Sequence, residues 1–124
     1  MSRYFYDTYA LVEFLKGNPN FTRYFEPGLG VTCRFNLVEL YFTQLRDHGE
    51  EAAERAFAEA LPLSVETADD LIKKAMKFKF DANRRGKNVS YADAIGYCAA
   101  LDNGLLFLTG DKEFRGLPHV EFVK

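Results

Sequence analysis

The chain has 124 residues, 48% of them hydrophobic, with twelve Phe, seven Tyr and a formal net charge of −2. That length and apolar content suit one folded domain over residues 1–124 and exclude a disordered chain or a fold that needs staples. The near-neutral charge excludes nucleic-acid binding through bulk positive charge, though a local basic patch or bound metal ions would still hold a phosphate.

Arg3 to Tyr6 is an aromatic run that suits a buried strand. Asp7 then opens a helix through Lys16, stopped by Gly17, and a brief second helix is expected over Asn20 to Phe25 before Pro27-Gly28. Val31 to Phe35 reads as a strand, and Asn36-Leu-Val-Glu39 has the spacing of a helix-capping box leading to about Arg46. An Ala- and Glu-rich helix follows Gly49 as far as Leu61. Leu61 to Val65 is a short third strand, confined by Pro62 to an edge or a strand start.

Thr67-x-x-Asp70 predicts the cap of a long helix to about Arg85, and Ser90-x-x-Asp93 the cap of another to Leu101. Leu105 to Leu108 is unbroken apolar strand, and Val120 to Val123 is the final strand. Strands alternating with helices give an α/β fold of three layers, a central parallel sheet flanked by helices. No stretch of about 18 apolar residues would span a membrane, and no opening run resembles a signal peptide, so a cytoplasmic address is expected. Cys33 and Cys98 lie among apolar residues without a Cys-x-x-Cys or nearby His, and read as buried free thiols rather than zinc ligands. His48 and His119 stand alone.

Four acids fall at strand-to-helix junctions: Asp7, Glu39, Asp93 and Asp111. In a parallel sheet, ligands bind outside the carboxyl ends of the strands, so these junctions share one edge. Each acid also has a local explanation. Asp7 and Asp111 suit N-caps, Glu39 and Asp93 suit the third position of capping boxes, and acids in a first turn gain about 0.3–1 kcal/mol from the helix dipole. A cluster is different, because two unit charges 4 Å apart repel by about 4 kcal/mol at an effective dielectric of 20. Converging carboxylates therefore imply a bound cation or raised pKa values. Oxygen-only ligands suit magnesium or manganese, and a pair of such ions about 3.5–4 Å apart serves phosphodiester hydrolysis. Arg84, Arg85 and Lys87 form the one dense basic run; they complement a helix end, or contact phosphate in the loop leading to Asp93.

In order and spacing these motifs resemble the PIN-domain nucleases, and particularly the VapC-type toxins of toxin–antitoxin pairs. The opening Tyr-Asp7-Thr8-x-Ala10-Leu11 resembles the first acidic motif, Asn36-Leu-Val-Glu39-Leu40 the second and Ser90-x-x-Asp93-Ala94 the third. Leu106-x-Leu108-Thr109-x-Asp111-Lys112-x-Phe114 is similar to the closing strand and fourth motif. The resemblance implies a Mg2+- or Mn2+-dependent endoribonuclease with Asp7, Glu39, Asp93 and Asp111 as the metal-site acids. It implies supporting roles for Thr8, Ser90 and Thr109, an RNA substrate, an antitoxin protein lying over the site, and a homodimer. Phe21, Tyr24, Phe25, Tyr41 and Phe42 suit either such an interface or, preferentially, the core.

Three other readings stay open at this level. One is a PIN nuclease with a housekeeping role in RNA processing. Another is a non-catalytic interaction domain of the same fold, with the acids serving only as caps. The third, a phospho-acceptor module of receiver type, lacks the paired acids after the first strand that it would need.

Overall fold

The computed structural model describes residues 2–124. Five strands form one parallel sheet in the order β3-β2-β1-β4-β5: β1 (Tyr4–Tyr6), β2 (Gly30–Cys33), β3 (Ser64–Val65), β4 (Leu106–Thr109) and β5 (Val120–Phe122). Six α-helices flank it: α1 (Thr8–Leu15), α2 (Pro19–Thr22), α3 (Arg34–His48), α4 (Glu50–Ala60), α5 (Asp69–Arg84) and α6 (Tyr91–Asp102). The α/β class and the parallel sheet expected from the sequence are both present.

Alternation along the strands builds a core on each face of the sheet. Phe5 and Phe107, side by side in register, pack with Ala75 and Ala82 of α5 and with Ala94, Ile95 and Cys98 of α6. Their neighbours Tyr4, Tyr6 and Leu108 pack on the other face with Leu11, Leu37 and Leu40 of α1 and α3 and with Ala56 and Ala60 of α4. Because the buried strands carry apolar side chains on both faces, they read in sequence as unbroken runs rather than as alternation.

The helix α6 approaches the sheet closely because it presents small residues. A Cβ on Gly96 would lie 2.6 Å from the Phe5 ring and 3.0 Å from the Phe107 ring. This close approach fixes the height of α6, and therefore of Asp93 in its first turn, against β1 and β4.

Several local expectations are corrected. The second strand ends at Cys33, which is the N-cap of α3, so Asn36 lies inside the helix rather than capping it, and Glu39 falls in the second turn. The N-cap of α5 is Ala68, with no side-chain cap, so Thr67 does not play that part. Leu61–Leu63 is a 3-10 turn, leaving only Ser64–Val65 as strand; Pro62 cannot donate to a ladder. The second helix is α-helical only over Pro19–Thr22 and continues as a 3-10 turn. Of the five aromatics, Phe21 and Tyr24 are buried, Phe25 and Tyr41 are half-buried, and Phe42 is 61% exposed. Both cysteines are buried free thiols.

Gly96→Ala should lower stability by about 1–3 kcal/mol, the usual cost of forcing extra volume into a packed core. The check is the midpoint of urea unfolding at unchanged slope; coincident curves for variant and wild type would refute the close approach.

Candidate active site

Three strand ends and one helix start bring the acids to a common edge. Asp7 follows β1 directly, Asp111 follows β4 after Thr109 and Gly110, and α3, which carries Glu39, begins where β2 ends. The helix α6 leads back into β4, so its first turn, with Asp93, lies at the carboxyl edge of the sheet. The sheet order reverses between β1 and β4, which is where open α/β sheets form their ligand crevice. An open cavity of about 550 Å3 occupies that position, and Asp7, Glu39, Asp93 and Asp111 all line it.

Each acid is held by a local device. Asp7, 1% exposed, caps α1 by accepting a hydrogen bond from the Ala10 amide at 2.8 Å. Glu39 accepts from the Thr8 hydroxyl at 2.7 Å. Ser90 caps α6, its hydroxyl oxygen accepting from the Asp93 amide at 3.0 Å. The Thr109 hydroxyl oxygen accepts from the Asp111 amide, and the Asp111 carboxylate accepts from the Glu113 amide, both at 3.0 Å. Gly110 lets this last motif pass beneath its neighbours, since a Cβ there would sit 2.6 Å from the Val123 carbonyl oxygen and closer still to the Tyr9 ring.

The acids feel one another. Burial pushes the Asp7 carboxyl well above the ordinary carboxylate range, and the Asp93 and Asp111 charges push it further, while Thr109 and the Ala10 amide pull it back. Asp93 is raised to about 7, first by burial and then by Glu39 and Asp111, with Ser90 opposing. Capping has therefore not removed the cost of gathering these charges. Among the described residues no three His, Cys, Asp or Glu side chains stand close enough together to hold a metal ion as they lie. The donor set itself fits a hard divalent cation: it is all oxygen, it faces one cavity, and its members repel each other unless a positive charge or a proton intervenes.

The basic run is elsewhere. Arg84 and Arg85 line a separate depression with Asp81, and Lys87 donates to the Glu113 backbone carbonyl at 3.0 Å, tying its loop to the turn that carries Asp111. The cations that do line the acidic cavity are Arg46, Lys112 and Lys124. Arg46 is paired with Asp47 at 2.8 Å, and Lys124 lies 5.4 Å from the centre of the Tyr9 ring. Arg46 was within reach of sequence reasoning, because it lies two helical turns beyond Glu39. Lys112 adjoins Asp111, but no local signal links Lys124 to the site.

The model of the PIN domain family matches residues 4–120. The chain belongs to the PIN domain family. No curated protein matches this sequence significantly. Among solved structures, this PIN domain is similar to VapC20 of Mycobacterium tuberculosis, a sarcin–ricin loop cleaving toxin, with 20% identity, TM-score 0.77 and coverage of 98% of this chain and 99% of that one. It is also similar to a chain of VapBC2 from Rickettsia felis bound to a promoter DNA fragment, at 14% identity, TM-score 0.76 and full coverage of both chains. A toxin–antitoxin complex from Klebsiella pneumoniae matches at 18% identity, TM-score 0.69 and 94% coverage of each chain. At these identities the likeness is one of fold. No helix among the described residues of this PIN domain is long and apolar enough to cross a membrane.

The raised carboxyls predict how metal-free stability depends on pH. Asp93 keeps its proton in the fold up to about pH 7 but in the unfolded chain only to about 3.8. Between those values the folded state binds more protons, so stability falls as pH rises through the window, by up to about 1.4 kcal/mol per pH unit for one group. Asp7 acts in the same sense. With a chelator present, the melting temperature should drop between pH 5 and pH 8, and Asp93→Asn should flatten that slope and melt higher than wild type at pH 8. Equal melting temperatures of the wild type at both pH values would contradict the electrostatic account.

Proposed function

We propose that this PIN domain is a metal-dependent endoribonuclease, the toxin component of a toxin–antitoxin pair, hydrolysing phosphodiester bonds in RNA. The observation that carries the reading is the arrival of four carboxylates, on four separate elements, at one open cavity where their charges conflict. Asp7, Glu39, Asp93 and Asp111 would hold Mg2+ or Mn2+. Bound there, such an ion supplies activation of a water molecule and charge relief at the scissile phosphate.

The chain's own residues do the rest. With one oxygen engaged by the Ala10 amide, Asp7 presents a fixed face to the cavity. Asp93, raised to about 7, gives up its proton when a cation enters, so the affinity for the ion rises with pH through that value. Thr8, Ser90 and Thr109 orient the acids through the bonds described above. Lys112 and Lys124 stand at the cavity as solvent-exposed cations suited to the phosphates flanking the cut. Arg84 and Arg85 would reach only more distant nucleotides.

The named relatives support the wider role. One is described as cleaving the sarcin–ricin loop, and another is a toxin–antitoxin complex. An antitoxin segment bearing a basic side chain would satisfy the same acids that a cation satisfies. For the expected homodimer, α3 offers an exposed apolar stripe of Phe35, Val38, Phe42 and Leu45.

Asp93→Asn should reduce Mn2+-dependent cleavage of an RNA substrate by more than about 100-fold while keeping the fold, since residues that merely orient metal ligands already cost about 10- to 100-fold. Retained activity in a folded Asp93→Asn protein would sink the assignment. Replacing Lys112 and Lys124 by Ala should weaken RNA binding and reduce the slope of log affinity against log salt by about 0.7 for each phosphate no longer neutralised. An Arg84→Ala/Arg85→Ala protein serves as the comparison. A larger effect from the arginine pair would move the RNA path away from the cavity mouth.

A further inference from the structure

Asn36, in the first turn of α3, is fully buried, where an unpaired amide would be costly. Its amide is engaged at both ends. The amide oxygen accepts from the Cys33 thiol at 3.2 Å, and the amide nitrogen donates to the Thr8 hydroxyl oxygen at 3.3 Å. Thr8 in turn donates to the Glu39 carboxylate at 2.7 Å. The order of donors and acceptors is forced. The Glu39 carboxylate only accepts, so the Thr8 hydrogen goes to it, the Thr8 oxygen takes the Asn36 N–H, and the amide oxygen is left facing the Cys33 thiol. The chain Cys33, Asn36, Thr8, Glu39 therefore runs in one direction and ends on a cavity acid.

The geometry follows from spacing. Asn36 and Glu39 are three apart on α3, so they share a face and reach the same point one turn apart. That point is Thr8, the first residue of α1 and the immediate neighbour of Asp7. One hydroxyl thus links the acid at the end of β1 to the acid carried by α3. An ionised Asp at position 36 could not donate to Thr8, and an apolar residue would leave the hydroxyl free to turn.

We propose that Asn36 is a positioning residue which, acting through the Thr8 hydroxyl, holds the Glu39 carboxylate in the orientation required to bind a divalent cation in the cavity. This rests on the reading of the acids as a metal site. Asn36 itself touches neither cation nor substrate; it decides where the Thr8 hydrogen points. Residues that orient a metal ligand typically change metal affinity by about 10- to 100-fold when removed.

The test is Mn2+ binding, measured by the loss of the free-ion electron paramagnetic resonance signal, on folded wild type, Thr8→Val, Thr8→Ser, Asn36→Ala and the Thr8→Val/Asn36→Ala double variant. Thermal melts establish that each protein is folded. Thr8→Val should weaken Mn2+ binding about tenfold or more, and Thr8→Ser, which keeps the hydroxyl, should restore it to within about threefold. Asn36→Ala should also weaken binding, and the double variant should bind no more weakly than Thr8→Val alone, because the two act in series. Wild-type affinity in Thr8→Val and Asn36→Ala would overturn the relay alone, as would losses that simply multiply in the double variant. If Asn36→Ala fails to fold, the Thr8→Val and Thr8→Ser pair still decides, equal affinities in that pair being fatal. A wild type that binds no Mn2+ at millimolar concentration would overturn the metal reading and the relay with it.

Discussion

The parallel pairing of β1 with β4 governs the rest of the structure. Tyr4 lies beside Leu106, Phe5 beside Phe107 and Tyr6 beside Leu108, so Asp7 and Thr109 leave the sheet at the same level. A slip of one residue would send Phe107 to the face of Leu108 and exchange the two cores. The same slip would point the acids that follow the strands in different directions. Packing thus enforces the chemistry: Phe5, Phe107 and the small face of α6 tolerate only the register that brings the carboxylates together.

What the packing assembles is electrostatically unfavourable. Asp7 is almost wholly buried beside other acids, and the hydrogen bonds it accepts compensate that burial only in part. Gathering like charges at one cavity costs stability, which a positive charge arriving there would return. The hydroxyls around it, from Thr8, Ser90 and Thr109, are small, neutral and able to donate or accept. They orient acids without cancelling their charge, which an arginine or lysine in the same place would do.

The sequence made the larger pattern legible because buried parallel strands are short unbroken apolar runs and the helices between them are bounded by caps or glycines. Asp7, Asp93 and Asp111 could be placed from local signals, and their capping bonds are present as read. Asn36 shows where local reading failed. An Asn three residues before a Glu looks like a cap, but Cys33, with its extended backbone, already serves as the N-cap of α3, and tertiary partners claim the amide instead. Thr67 failed for a similar reason, Ala68 standing in its place without a side-chain bond. The basic run was conspicuous because it is contiguous, whereas Arg46, Lys112 and Lys124 are scattered and meet only in three dimensions. Contiguity is visible in a sequence; convergence is not.

Asp7 and Asp111 stand near opposite ends of the chain, yet they face the same cavity. This gives the site a place in time as well as in space. A growing polypeptide that has made β1, β2 and every helix still lacks β4, the strand that docks beside β1 and delivers the last acid. Nothing resembling the complete constellation can exist in a fragment. Folding of such non-local pairings comes late and all together. The four carboxylates therefore come together only when β4 closes the sheet beside β1.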